Sequence, residues 1–419
     1  MSHKAFRSLL IVLSILCAAP FATVRAGTGT TTERPTFGVL YTAWIDAGEP
    51  LATVRIRLTD HPERVRWIRL AADPARYRDF KGSGTITREG HLVRWTPPAE
   101  DAYLQYRVSL ESQRASGAFD GRVTADWALF RGERLVPIVR VDVEDGTQSR
   151  SKMRLNVPDG WAIESIYPRY TSGRLKIDDP RKIFDRPAGW ILLGKLGVRR
   201  DTIGPTRISV AAPVGEGLRR MDILALFHWT VPTLQKIFPE FPAHLLVVGA
   251  GDPMWRGALS GPWSLYVHAD RPLLSENGTS TFLHELVHVA MRARGEPGAD
   301  WIVEGLAEYY SLEVLRRSGT LSERRFEQAH RSLAEWAARA AGPLDTEHST
   351  GATTARAVGV LRRLDAEIRS ASNGRHSLDN VVAELANDRR RVSLELLRTS
   401  AERFAGKPLA ALSPAVLQY

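Results

Sequence analysis

The chain has 419 residues, 43% of them hydrophobic, with a single cysteine and a formal net charge of +10. This is enough for two or three domains with buried cores, and no interior run reaches the roughly 20 apolar residues of a membrane span. The only cysteine, Cys17, lies in the leading segment. The rest of the chain therefore has no disulfide, thiol nucleophile or thiolate metal site, and any metal falls to His, Asp or Glu.

Residues 1–26 read as a signal peptide. Lys4 and Arg7 form a basic start, Leu9 to Ala19 is an apolar run, and Val24-Arg25-Ala26 offers a cleavage site before Gly27. Leu16 ahead of Cys17 argues against a lipid anchor. The expected location is exported, periplasmic or secreted. Losing Lys4, Arg7 and Arg25 leaves 54 basic against 47 acidic residues, a charge of +7. The basic residues are scattered in short clusters such as Arg199-Arg200, so no nucleic-acid partner is expected.

Residues 27–212 are expected to form a β-rich N-terminal domain. Val54, Ile56 and Leu58 alternate with arginines; Leu104, Tyr106, Val108 and Leu110 alternate with Gln105, Arg107 and Ser109; Val139, Val141 and Val143 follow suit. Period-two runs between turn signals such as Pro97-Pro98 and Pro158-Asp159-Gly160 predict antiparallel sheets in a sandwich or open barrel. Nothing in this region reads as chemistry. Trp67, Trp95 and Trp127 are expected in its core.

Residues 213–419 are expected to form a mainly helical domain. Leu218 to Phe238 reads as a helix, and Leu245 to Val248 and Trp263 to Ala269 as short strands. A helix capped by Thr279, Ser280 or Thr281 runs to a stop at Gly295 and Pro297. A second, Trp301 to Arg317, is capped by Asp300. Four more follow, near Ser322 to Ala341, Thr353 to Ser372, Ser377 to Asn387 and Ser393 to Ala405. The fold class is thus α+β and multidomain.

The chemistry concentrates in Phe282-Leu283-His284-Glu285-Leu286-Val287-His288. On a helix, residues four apart project about 40° from one another at roughly 100° per residue. His284 and His288 can therefore grip one ion, while Glu285 on the flank handles a proton from water. The surrounding residues are apolar, and two unpartnered imidazoles on such a face would be costly. A catalytic zinc takes three protein ligands. Met291 and Arg294 stand where a metzincin has glycine and histidine. The third ligand is then an acid on the following helix, and Glu304, 16 positions after His288, supplies one. Gly305 beside it would let the two helices approach closely. Glu308, one turn further, is placed to accept the free N–H of His284 or His288 and orient the ring.

His284-Glu285-x-x-His288 followed by Trp301-x-x-Glu304-Gly305-x-Ala307-Glu308-Tyr309-Tyr310 resembles the gluzincin zinc peptidases, and most of all the glycyl aminopeptidase family. Gly359 to Arg369 and Asn373 to Val381 are also similar to that family, so that the resemblance spans about residues 214–405. It implies a thermolysin-like core, one Zn2+ held by His284, His288 and Glu304, Glu285 as general base and acid, and a peptide or protein as substrate. Three departures stand out. Arg356 occupies the place of the family's oxyanion-stabilising tyrosine, so the oxyanion donor is Arg356 or another group; Tyr309 and Tyr310 point away from Glu304. Gly257 to Trp263 lacks the acid that relatives use for the substrate's α-amine. The PDZ domain that many members append is not expected here.

Strand Trp263 to Ala269 is expected to pair with extended substrate backbone. His268 reads as a structural histidine near the site, and His330 and His348 as surface residues. Two functions follow. One is a zinc-dependent peptidase acting through a metal-activated water, with aminopeptidase as one form of it. The other is a cell-envelope binding or scaffold protein that keeps the gluzincin fold without turnover.

Overall fold

The computed structural model describes residues 34–179, 182–339, 342–387 and 391–417. The expected signal segment 1–26 lies outside them. The alternating runs form strands as their periodicity dictates: Leu51–Leu58 buries every second side chain, and Tyr103–Ser109 does the same. A six-stranded sheet runs in the order Leu175–Lys176, Gln148–Asn156, Thr36–Trp44, Leu51–Leu58, Tyr103–Ser109, Tyr77–Gly82. A four-stranded sheet holds Val139–Val143, Val65–Ala71, Leu92–Thr96 and Thr85–Glu89. Inward residues of the two sheets, among them Tyr41, Ile56, Tyr106, Ile68 and Trp95, share one core. The pairing is antiparallel apart from Thr36–Trp44 with Gln148–Asn156, which run parallel. Trp95 and Trp127 are buried, while Trp67 is half-buried under the guanidinium groups of Arg69 and Arg94.

A third sheet of five strands includes Trp190–Gly194 and Trp127–Arg131. Its Trp127, Leu129, Trp190 and Leu192 pack against Ala211, Leu246, Val248 and Tyr266. Those partners belong to a fourth sheet, ordered Leu196–Ile203, Thr206–Pro213, His244–Ala250, Ser264–His268, Ala258–Gly261. Thr206–Pro213 pairs parallel with His244–Ala250. This sheet therefore runs across the line expected at residue 212, because strands on either side of it exchange hydrogen bonds.

Among the described residues there are eight α-helices: α1 Arg220–Ile237, α2 Thr281–Met291, α3 Asp300–Arg317, α4 Glu323–Ala337, α5 Gly351–Ala371, α6 Leu378–Asn387, α7 Leu394–Ala405 and α8 Pro414–Leu417. None is long and apolar enough to cross a membrane. The core that joins α1 to α7 takes in Leu283, Leu286 and Val287 of α2, and Ile302, Leu306 and Tyr310 of α3. Each such side chain contributes roughly 1.5–3 kcal/mol when fully buried, which fixes the rotation of α2 and with it the direction of its histidines.

Three local expectations change. Helix α2 ends at Met291, where Arg292 takes a left-handed conformation and its N–H bonds the His288 carbonyl, before Gly295 is reached. Ala299, not Asp300, stands at the cap of α3; the Asp300 carboxylate instead accepts from the Ser349 N–H at 2.8 Å. Gly305 faces α5 rather than α2: a β-carbon there would sit 2.6 Å from Cβ of Ala357. The close approach that glycine permits is between α3 and α5.

Candidate metal centre

Ser280 caps α2, its Oγ accepting from the Leu283 N–H and donating to the Leu273 carbonyl at 2.7 Å. With its apolar face locked in the core, α2 presents His284 and His288 toward α3. Their Nε2 atoms lie 3.2 Å apart. The Glu304 carboxylate spans both, with Oε2 at 3.3 Å from His284 Nε2 and Oε1 at 3.4 Å from His288 Nε2. On the far side of the ring, His284 Nδ1 lies 2.9 Å from Oε2 of Glu308.

Burial disfavours a charged His284 ring, but hydrogen bonds to Glu304 and Glu308 outweigh it and push its pKa up to about 10. Burial also opposes ionisation of Glu304, yet bonds and charge from the two histidines hold its carboxyl well below the usual range.

The donor set fits a zinc ion. One ligand atom from each of His284, His288 and Glu304 comes within 4.8 Å of the others. Two ring nitrogens 3.2 Å apart cannot both aim protons at each other, so a shared proton or a cation must lie between them. Two imidazoles and one carboxylate is a catalytic-zinc ligand set that leaves a position open.

Glu285 stands apart from these ligands. Its Oε2 accepts from the Ser260 N–H at 2.7 Å, and it lines, with His288 and Glu304, a cleft of about 1360 Å³. Ser260 belongs to Ala258–Gly261, the edge strand of the fourth sheet. Ser264–His268, expected to pair with substrate, is an interior strand with neighbours on both sides. The edge strand on this side is Ala258–Gly261, whose Ser260 N–H and carbonyl are bonded to Glu285 and Arg131.

The remaining candidates scatter. Arg356 donates to the carbonyls of Gly342 and Leu417 and does not line the cleft, which removes it as oxyanion donor. Tyr310 is buried and donates to Asp379 at 3.1 Å, and Tyr309 is buried too. His268 is buried, its Nδ1 accepting from the Asp270 N–H at 3.2 Å. It forms a second cluster with Asp252 and Asp270, but the Arg256 guanidinium already pairs with Asp252 there. His330, expected on the surface, is buried against Phe326 at 4.5 Å between ring centroids, and burial lowers its pKa to about 4. His348 is exposed at the cleft wall.

Several cleft residues come from the region where no chemistry was expected, Arg131 and Glu133 among them. Arg131 ends strand Trp127–Arg131 and Glu133 follows in a short turn, and both line the cleft. Arg131 reaches the Ser260 carbonyl, 129 positions away, at 3.0 Å. No local pattern announces a contact of that span.

No family model matches the chain, and no curated protein matches it. Solved structures do. An aminopeptidase N family protein from Idiomarina loihiensis superposes with a TM-score of 0.64 at 15% identity, covering 83% of this chain and 70% of that one. A variant M1 zinc metallopeptidase from Deinococcus radiodurans, bound to a Tyr-Ser-Ala substrate, gives 0.56 at 16% identity, covering 89% and 92%. A two-domain M1 zinc metallopeptidase variant bound to L-tryptophan gives 0.55 at 16% identity over 89% and 93%. The chain thus has a gluzincin-like zinc-peptidase fold. Its solved neighbours are M1 peptidases, a β-rich N-terminal part leading into a helical part.

Proposed function

We propose that this protein is an exported, zinc-dependent peptidase that hydrolyses peptide bonds with water activated beside Glu285. The observation that carries the reading is the convergence of His284, His288 and Glu304 within 4.8 Å at the wall of a cleft that also exposes Glu285. The M1 fold and the resemblance to the glycyl aminopeptidases support it, and the basic, apolar and small-residue order of residues 1–26 supports export.

A zinc ion held by His284, His288 and Glu304 would polarise the scissile carbonyl and lower the pKa of water at its open position. Glu285 takes the proton as water attacks and returns it to the leaving amine. The Ser260 N–H at 2.7 Å fixes one oxygen of that carboxylate, leaving the other to face the reacting atoms. Glu308 holds the ring of His284 through Nδ1 and keeps Nε2 turned to the ligand side. Edge strand Ala258–Gly261 borders the cleft, with its Ser260 N–H and carbonyl taken by Glu285 and Arg131.

The test measures bound zinc in the purified protein and compares hydrolysis of a broad peptide library by wild type and Glu285→Gln. Stoichiometric zinc with turnover lost in the variant is expected. Zinc with equal, negligible turnover in both would leave only a binding or scaffold role, and absence of zinc would remove the site.

A further inference from the structure

The cleft wall beside Ser260 carries one arginine together with the acids Glu285 and Glu133. Arg131 is half-buried there, with its guanidinium over the Trp190 ring at 4.9 Å from the centroid. Trp190 is itself fully buried and donates Nε1–H to the Leu259 carbonyl at 3.0 Å. The indole thus fixes both the edge strand and the plane of the guanidinium. Nη2 of Arg131 donates to the Ser260 carbonyl. Among the described residues no other acceptor is bonded to this guanidinium, and no carboxylate lies within ion-pair distance of it. Glu133 has one oxygen tied to the Gly189 N–H at 3.1 Å.

A partly buried guanidinium with one bonded acceptor leaves N–H donors unpaired; Glu133, Asp120 and Glu285 act on it only through space, and burial lowers the Arg131 pKa. Its remaining donors can take a further anionic acceptor. The N–H of Ser260 holds Glu285 and its carbonyl holds Arg131, so one residue's length of backbone separates the proton-transferring carboxylate from the cation. Whatever Arg131 binds therefore adjoins the scissile bond. The stretch Gly257 to Trp263 is also where the family resemblance would place an acid for the substrate's α-ammonium, and it has none.

We propose that Arg131 anchors a carboxylate of the peptide substrate, next to the bond that is cut, so that this cleft selects for an anion where an aminopeptidase selects for an α-ammonium. The planar fork of arginine matches a carboxylate through two parallel hydrogen bonds. The carboxylate is that of an Asp or Glu side chain, or the α-carboxylate of a short peptide. The proposal rests on the peptidase reading of the same cleft.

Two series of quenched fluorescent peptides decide between the sources: Asp or Glu against Asn or Gln beside the scissile bond, and C-terminal acid against C-terminal amide. With zinc-loaded wild type, kcat/KM in one series is expected to favour the anion by about tenfold or more, the strength of a charge-assisted pair. In Arg131→Gln that ratio falls toward one, and Arg131→Lys restores part of it. No preference in either series, or a preference unchanged in Arg131→Gln, overturns the proposal. So does an equal loss on charged and neutral peptides, which would assign Arg131 to holding the strand. Should Arg131→Gln fail to fold, Arg131→Lys decides, since it keeps the charge without the fork: a severalfold lower ratio supports the anchor and an equal one overturns it. Anisotropy of labelled peptides on zinc-loaded Glu285→Gln gives a readout without turnover. If no peptide is cut but this protein still binds anionic over neutral peptides through Arg131, the anchor stands and the peptidase reading falls.

Discussion

Nδ1 of His284 lies 2.9 Å from Oε2 of Glu308, one helical turn beyond Glu304 on the same helix. One helix thus supplies both a carboxylate to the ligand cluster and a second one behind the ring that shares it. A carboxylate beside Nδ1 favours a proton on that nitrogen, the ring form whose Nε2 lone pair would be available to a metal.

Glu308→Gln removes this charge while keeping the size of the side chain. Zinc affinity, measured by competition with a chelator, is expected to fall about 10- to 100-fold. Unchanged affinity would mean that core packing alone orients the ring.

Glu285→Gln separates the metal from the proton. Zinc content is expected to match wild type, because Glu285 bonds the Ser260 N–H rather than the ligand cluster. Turnover on any substrate that wild type cuts should fall roughly a hundred- to ten-thousandfold. Loss of zinc in this variant would contradict the division of labour.

The metal-free protein carries a pH signature. The His284 pKa is raised to about 10 in the fold, against roughly 6.5 in an unfolded chain. Its contribution to stability is fully present below about 6.5 and is lost as pH rises through about 10. Glu304 is shifted down, so its contribution is present above about 4.3 and is lost as pH falls. Melting temperatures of the metal-free protein are expected to be highest between these limits and to fall on both sides. Zinc must displace the proton on His284, so its apparent affinity should gain about tenfold per pH unit up to about 10 from this group alone. A flat zinc affinity across that range would show that His284 is already neutral.

Gly305→Ala tests the seat of the third ligand. The added methyl meets Ala357 Cβ at 2.6 Å and Leu361 Cδ1 at 3.1 Å, forcing α3 away from α5 at the position next to Glu304. Overpacking of this kind costs about 1–3 kcal/mol. A lower melting temperature and weaker zinc binding are both expected, and calorimetry with chelator competition checks them together.

Much of the site could be read along the chain because helices are local. The spacing of His284 and His288 sets their shared face, and the apolar residues between them set its burial. Glu304 followed because a catalytic ion needs a third donor and the next helix offered a carboxylate. His330 misled because its helix is strongly polar, yet Phe326 one turn away draws that imidazole into the core. Arg356 misled because a position in a motif says nothing of direction: its helix turns it toward Gly342 and Leu417.

The sequence by itself determined that His284 and His288 share one helical face and singled out Glu285 and Glu304 beside them, since each follows from the helical repeat and the chemistry of His and Glu. It also determined the alternating strands that precede them. Only the tertiary structure decided which strand forms the sheet edge at the cleft, that Gly305 serves α5, and that Arg131 and Trp190 of the β-rich part bond Ser260 and Leu259. Those relations join segments up to 129 residues apart, and they arise from how two cores pack rather than from any local pattern. The candidate metal-binding cluster therefore lies on two successive helices, while the wall of the cleft around it is made by folding.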